Sequence, residues 1–160
     1  MEKTAGKIKL LEEAKVLVKS WQAKSEKVVF TNGCFDLLHL GHVDYLEKAR
    51  NLGDRLVIGL NTDDSVSRFK GPERPLQDQT SRARILAALQ FVDAVVFFNE
   101  DTPLNLISEL LPNVLVKGSD YLAENIVGAD VVKKAGGKVE TIDFVPGYST
   151  TRIVEKIKRT

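Results

Sequence analysis

Apolar and polar positions repeat with two different periods along this chain. From Lys7 to Lys24, Ile8, Leu10, Leu11, Ala14, Leu17, Val18 and Trp21 recur at helical spacing among lysines and glutamates. This predicts an amphipathic lead-in helix within residues 1–26, ahead of a single domain over 27–160. Short apolar runs then take over and predict five strands, at Val28–Thr31, Arg55–Leu60, Ala94–Phe98, Val114–Val116 and Lys138–Ile142. Helical spacing returns at Val43–Leu52, Ser81–Gln90, Pro103–Leu110, Ala129–Ala135 and Ser149–Lys158. Gly53 and Gly136-Gly137 mark helix ends, and Pro103 suits a first helical position. The polar stretch Ser67–Thr80 carries Gly71, Pro72 and Pro75 and predicts a loop, a candidate lid. Strands alternating with helices imply an α/β fold, a doubly wound five-stranded parallel sheet with helices on both faces.

Composition narrows the class. Hydrophobic content of 43% and charged content of 28% are those of an ordinary globular domain. A net charge of +1 gives no electrostatic footprint for nucleic acid. No apolar run approaches the ~18–20 residues of a membrane span, and the N-terminus lacks an apolar signal core. The acids Glu12 and Glu13 weaken a membrane-surface role for the lead-in helix, so it is expected to pack on its own domain or on a second subunit. A homodimer is therefore an expectation. The single cysteine, Cys34, cannot form an internal disulfide, which fits a reducing, cytoplasmic setting.

The chemistry concentrates after the first predicted strand, in Thr31-Asn32-Gly33-Cys34-Phe35-Asp36-Leu37-Leu38-His39-Leu40-Gly41-His42. His39 and His42 are the only histidines. They sit at a strand-to-helix turn, on the sheet edge where open α/β folds bind ligands. The next helix points its positive end at the same place, Gly41 permits close approach, and imidazoles can donate to phosphate oxygens. Thr31, Asn32, Gly33, Cys34, Phe35 and Asp36 form the candidate phosphate-facing loop. Cys34 lacks a dedicated base and reads better as a small loop residue than as a nucleophile.

Four further segments fall at strand ends. Asn61-Thr62-Asp63-Asp64 reads as a turn with a helix cap, or with Asp63 facing ligand or Mg²⁺. Lys70, in the Gly/Pro loop, is either a solvated charge or a hand that closes on a transferring group. Arg82 opens the following helix, and its planar fork suits phosphate. Lys117, Gly118 and Asp120 make either a surface turn or a site rim. Gly147, Tyr148, Ser149, Thr150 and Thr151 open the last helix, where Ser149 suits an N-cap and hydroxyls with free N–H groups suit phosphate. No cluster with metal-ligand spacing stands out.

His39-Leu40-Gly41-His42 matches the His-x-Gly-His signature, and through it the chain resembles the nucleotidylyltransferases. More narrowly, the run Phe30–His42 is similar to the adenylyltransferase family of ADP-heptose synthesis. So are Arg68-Phe69-Lys70-Gly71-Pro72-Glu73-Arg74-Pro75, Leu115–Tyr121, Ile126-Val127-Gly128 and Gly147–Thr151. The resemblance spans roughly Val28 to Arg152. It implies a Rossmann-like fold and transfer of AMP from ATP to D-glycero-β-D-manno-heptose 1-phosphate, with Mg²⁺ assisting and pyrophosphate leaving. The ADP-heptose would feed bacterial lipopolysaccharide or other surface glycans. The resemblance favours His39, His42 and Lys70 as catalytic, and Arg82 as a phosphate ligand. That family is often fused to a sugar kinase, and this chain is expected to be the stand-alone form. Ser119 departs from it, standing where a second glycine is usual. Glycerol-phosphate cytidylyltransferases share the motif but carry an arginine where this chain has Phe144. Three alternatives remain in view. They are another sugar- or polyol-phosphate nucleotidylyltransferase, a class I aminoacyl-tRNA synthetase fragment and a non-catalytic nucleotide-binding module. The synthetase reading lacks its lysine-rich late loop, because Ser149-Thr150-Thr151 stands there.

Overall fold

The structure, a computed structural model, describes residues 3–160, so Met1 and Glu2 of the expected lead-in lie outside the described residues. The elements are β1 (Ile8–Lys9), α1 (Leu11–Ala23), β2 (Val28–Gly33), α2 (Leu40–Arg50), β3 (Arg55–Asn61), α3 (Asp63–Lys70) and α4 (Gln79–Ala88), followed by β4 (Ala94–Phe98), α5 (Leu104–Leu110), β5 (Val114–Gly118), α6 (Ala129–Lys134), β6 (Lys138–Ile142) and α7 (Thr150–Lys158). The strands form one sheet in the order β1-β4-β3-β2-β5-β6. Every pairing is parallel.

Alternation along the strands sorts side chains onto two covered faces. Val28 and Phe30 pack with Val18 and Trp21 of α1, Ile107 of α5 and Val132 of α6. Val29, between them, packs with Leu46 of α2 and Leu86 of α4 on the other face. Helices therefore cover both faces, as the sequence predicts. The lead-in helix uses its apolar stripe on its own sheet: Ala14, Val18 and Trp21 are buried in the first of these cores.

The sheet has six strands where five were expected. Ile8 and Lys9, which look helical by spacing, instead pair with Val95 and Val96 at the sheet edge. The helix starts only after Leu10, whose backbone is extended. The expected loop at 67–80 shrinks to 71–78. Thr62 accepts the Ser65 N–H at 3.3 Å, and Asp63 and Asp64 favour the helix N-terminus, so α3 forms and runs to Lys70. Asp78 caps α4 in the same way, accepting the Ser81 N–H at 2.9 Å. Pro103 takes the N-cap position of α5 rather than its first turn.

The connections run from β2 outward through β3 to β4, then return across the sheet to β5 and β6. The crevice between β2 and β5 is thus the topological switch point, where such sheets bind ligands. β2 and β5 both extend to this edge, ending at Gly33 and Gly118. Among the described residues, no helix is long and apolar enough to cross a membrane.

Candidate functional site

β2 delivers the loop 34–39 to the switch point in a conformation local propensity would not choose. Phe35 and Leu37 have φ of 47° and 50°, left-handed values that cost non-glycine residues on the order of 1 kcal/mol or more each. The surroundings over-determine them. The buried Asp36 carboxylate accepts the backbone N–H of Leu76 at 2.7 Å and of Gln77 at 2.9 Å, with Arg74 Nη1 at 3.7 Å. Leu37 N–H donates to Gln77 Oε1 at 3.1 Å. From the far side, Thr150 Oγ1 donates to the Asp36 carbonyl at 2.7 Å. One carboxylate thereby ties the 71–78 loop to the β2–α2 turn, and one hydroxyl ties α7 to it.

His39 is the N-cap residue of α2, and His42 lies in its first turn. Their rings stack with centroids 3.8 Å apart, and Phe35 meets His42 edge-on at 5.5 Å. Gly41 makes this arrangement fit, because a Cβ there would lie 3.0 Å from the His39 ring and 3.3 Å from Tyr148 Cβ. Burial, with His39 and Lys70 adding to it, pushes the His42 pKa down to about 4. Burial also lowers that of His39. Both rings are neutral at pH 7. His39 backbone N–H points at His42 Nδ1 at 3.4 Å, which leaves the His42 proton on Nε2 as a donor.

Arg82 is turned inward and holds one oxygen of the partly exposed Asp63 carboxylate. Arg82 is fully buried. Its Nη1 donates to the carbonyls of Cys34 at 2.8 Å and Asn61 at 2.9 Å, and Nε donates to the Gln77 carbonyl at 2.9 Å. Its Nη2 meets Asp63 Oδ1 at 2.7 Å. The guanidinium is a bracket under the loop, and Asp63 is its counter-charge, which corrects the reading of Arg82 as a phosphate ligand. Thr31 is likewise internal: its Oγ1 donates to the Val116 carbonyl at 3.0 Å and pairs with Tyr45 OH at 2.8 Å. Burial raises the Tyr45 pKa to about 12, so the phenol stays protonated in this bond.

A cavity of about 580 Å³ opens over the switch point. Asn32, Gly33, Cys34, Lys70 and Lys117 line it, so the structure brings these predicted residues together. Burial pushes the Cys34 thiol up, which disfavours a thiolate nucleophile. The charge of Lys70, at the end of α3, reaches both Cys34 and His42. Gly118 lies under the Phe144 ring, where a Cβ would come within 2.2 Å of Cζ and 2.7 Å of Asp120 Oδ1. Phe144 in turn stacks on Tyr45 with centroids 5.5 Å apart.

The histidines do not line that cavity. His39 lines a second concavity of about 620 Å³ with Gly147, Tyr148, Ser149, Arg152 and Lys156. Ser149 Oγ accepts the Arg152 N–H at 3.2 Å, so it caps α7 as expected. Thr151 is exposed in the first turn of that helix. The two concavities flank the 34–39 loop. Sequence reasoning placed Asn61 only within a turn, although it lines the cavity, and missed Gln77. Asn61 ends β3 as a polar residue closing an apolar run at the same edge as Asn32, which was a usable signal. Gln77 sat in a featureless polar stretch and gave none.

Among the described residues, no group of three or more His, Cys, Asp or Glu side chains converges on a metal site. Asp63, the one candidate, is engaged by Arg82. Among the described residues, the side chains alone do not form a resident Mg²⁺ site.

A switch-point crevice with paired histidines at one helix start and hydroxyls at another is the architecture of a Rossmann-type nucleotidyltransferase. The chain belongs to the cytidylyltransferase-like family, whose model matches residues 30–156. It is 59% identical over 153 residues to the bifunctional protein HldE of Magnetococcus marinus. It is 56% identical over 153 residues to the HldE of Methylobacillus flagellatus. Each match covers 96% of this chain, and the chain spans 31% of the length of these relatives. Among solved structures, a lipopolysaccharide core biosynthesis protein from Thermoplasma volcanium is similar, with a TM-score of 0.60 and 29% identity over 75% of this chain and 97% of that one. Pantoate-β-alanine ligase from Francisella tularensis shares the fold, with a TM-score of 0.61 and 17% identity over 96% of this chain and 78% of that one.

Proposed function

We propose that this chain transfers AMP from ATP to D-glycero-β-D-manno-heptose 1-phosphate, giving ADP-heptose and pyrophosphate. The observation that carries nucleotidyl transfer is the neutral, stacked histidine pair at the start of α2, of which His39 lines one concavity with the hydroxyl-rich start of α7. The heptose assignment is supported by likeness to HldE and to a lipopolysaccharide core biosynthesis protein.

A phosphate monoester is already a nucleophile, so no covalent enzyme intermediate is needed. An acceptor phosphate oxygen forms a bond to the α-phosphorus while the bond from that phosphorus to the bridging oxygen of pyrophosphate breaks, in line. The enzyme's share is positioning and charge stabilisation. His42 Nε2–H and His39 donate to phosphate oxygens as charge moves toward the β-phosphate. The N–H groups and hydroxyls at Ser149, Thr150 and Thr151 hold the β/γ end. Lys70 neutralises the α-phosphate from the cavity wall. Mg²⁺ enters as part of the nucleotide substrate. A homodimer is the remaining partner proposal, supported by the exposed Leu10 and Val16 at α1 and checked by light scattering.

The test is pyrophosphate release with ATP or CTP against heptose 1-phosphate, glycerol 3-phosphate and other sugar 1-phosphates. Release confined to ATP with heptose 1-phosphate is expected. Release with CTP or glycerol phosphate would overturn the substrate and keep the chemistry. ATP binding without release from any pair would leave a nucleotide-binding module.

A further inference from the structure

We infer that Lys117, with Asn32 beside it, grips the phosphate of the acceptor rather than the triphosphate of the nucleotide. This deepens the nucleotidyl-transfer reading and rests on it.

Lys117 leaves β5 directly beside β2 and lines the 580 Å³ cavity. Its Nζ donates to Asn32 Oδ1 at 3.3 Å and stands 5.1 Å from the Tyr121 ring centroid. Among the described residues it makes no salt bridge. Asp120 is near enough to favour its charged form, while burial works against that form. Among the described residues this half-buried ammonium has a neutral amide and an aromatic face as direct partners and no anion in salt-bridge contact. Asn32 reinforces this. Its Oδ1 is taken by Lys117, and its Nδ2 makes no hydrogen bond among the described residues. The two side chains therefore present an ammonium and an amide donor to one anion.

In-line displacement decides which anion. The attacking and departing oxygens lie on opposite sides of the α-phosphorus. The leaving side is marked by His39 and the α7 start, which line the second concavity. Lys117 and Asn32 line the other one, across the 34–39 loop. An acceptor approaching opposite the departing pyrophosphate meets Lys117. Lys70 lines the same cavity as Lys117, and its charge also reaches His42. Lys117 holds a dianion that is present before the transition state, so its effect falls on acceptor KM more than on kcat.

The test compares Lys117→Met, which keeps the stem and removes the charge, with Lys117→Arg. Removing one charged hydrogen-bond partner is expected to raise acceptor KM by roughly ten- to hundredfold, with ATP KM unchanged within about twofold. Lys117→Arg is expected to recover most of the loss. A rise in ATP KM with acceptor KM unmoved would overturn the inference, as would no change in either. Should the wild type release pyrophosphate with no acceptor tried, the functional reading fails on its own account. Calorimetric titration of inorganic phosphate into enzyme saturated with α,β-methylene-ATP then decides the role of Lys117. Binding by wild type that Lys117→Met loses supports it, and equal binding by both proteins overturns it.

Discussion

The 34–39 loop and helix α7 meet at one place and are held there in opposite ways. The loop is fastened from three directions. Asp36 gathers the backbone of Leu76 and Gln77, Arg82 gathers the carbonyls of Cys34, Asn61 and Gln77, and Thr150 closes from above. α7 is amphipathic yet has no buried residue, and its hydrogen bond to the 34–39 loop, like its cap, lies at its first turn. The strained backbone at Phe35 and Leu37 needs the first kind of support, because an unsupported loop would relax out of it. A helix start proposed to offer N–H groups and hydroxyls to a departing anion needs only its first turn in place. The contrast separates a preorganised side, which carries the proposed histidine donors, from a lightly attached side that under the same proposal can yield as product leaves.

Four substitutions or conditions break or sharpen that contrast. The largest effect is expected from His42→Ala, which removes a donor from the rigid side. Turnover falls by about 10²–10³ while the melting temperature stays near that of wild type, read by pyrophosphate release and thermal denaturation. Near-normal turnover would dismiss the histidine's role. Arg82→Met attacks the fastening instead. It leaves the carbonyls of Cys34, Asn61 and Gln77 and the Asp63 carboxylate without their partner, and about 2–4 kcal/mol of stability is lost in urea unfolding. A loss below about 0.5 kcal/mol would show that the loop holds itself.

Acid should act on the same side. His39 and His42 have pKa values below the free value of 6.5, with His42 at about 4. The unfolded chain therefore takes up protons first. Stability is full above pH 6.5 and falls as pH drops toward about 4. Melting curves at pH 7 and pH 5 check this, with a smaller drop expected for His42→Ala; an equal drop would place the acid sensitivity elsewhere. The smallest effect is expected from Ile157→Ser on α7. With that residue 63% exposed, stability shifts within about 0.5 kcal/mol and turnover holds. A large loss would mean that α7 is covered by something in solution.

The same contrast explains what could be read from sequence. The strands and the switch point follow from apolar periodicity, because sheet burial imposes it directly on Val28–Phe30, Leu56–Leu60 and Val114–Val116. His39, His42 and Ser149 announce themselves by residue type at strand and helix ends. Arg82 misled, since an arginine near a phosphate loop looks the same from sequence whether it faces the ligand or props the loop from beneath. Only the placement of the Cys34 and Asn61 carbonyls distinguishes the two. α3 was hidden because Thr62, Asp63 and Asp64 serve a turn and a helix cap equally well. β1 was hidden because two residues carry no period.

That short β1 also decides how the molecule meets its neighbours. Without Ile8 and Lys9, the ribbon Ala94-Val95-Val96-Phe97-Phe98 would be the bare border of the sheet, an uncharged template for strand addition by another molecule. At the opposite border, β6 carries the exposed charges Lys138 and Glu140 instead. One margin is covered by backbone at Val95 and Val96, and the other is defended by charge. The segment before α1 thus takes up part of the strand edge that edge-to-edge association would use, at a place remote from the carboxyl edge of the same sheet.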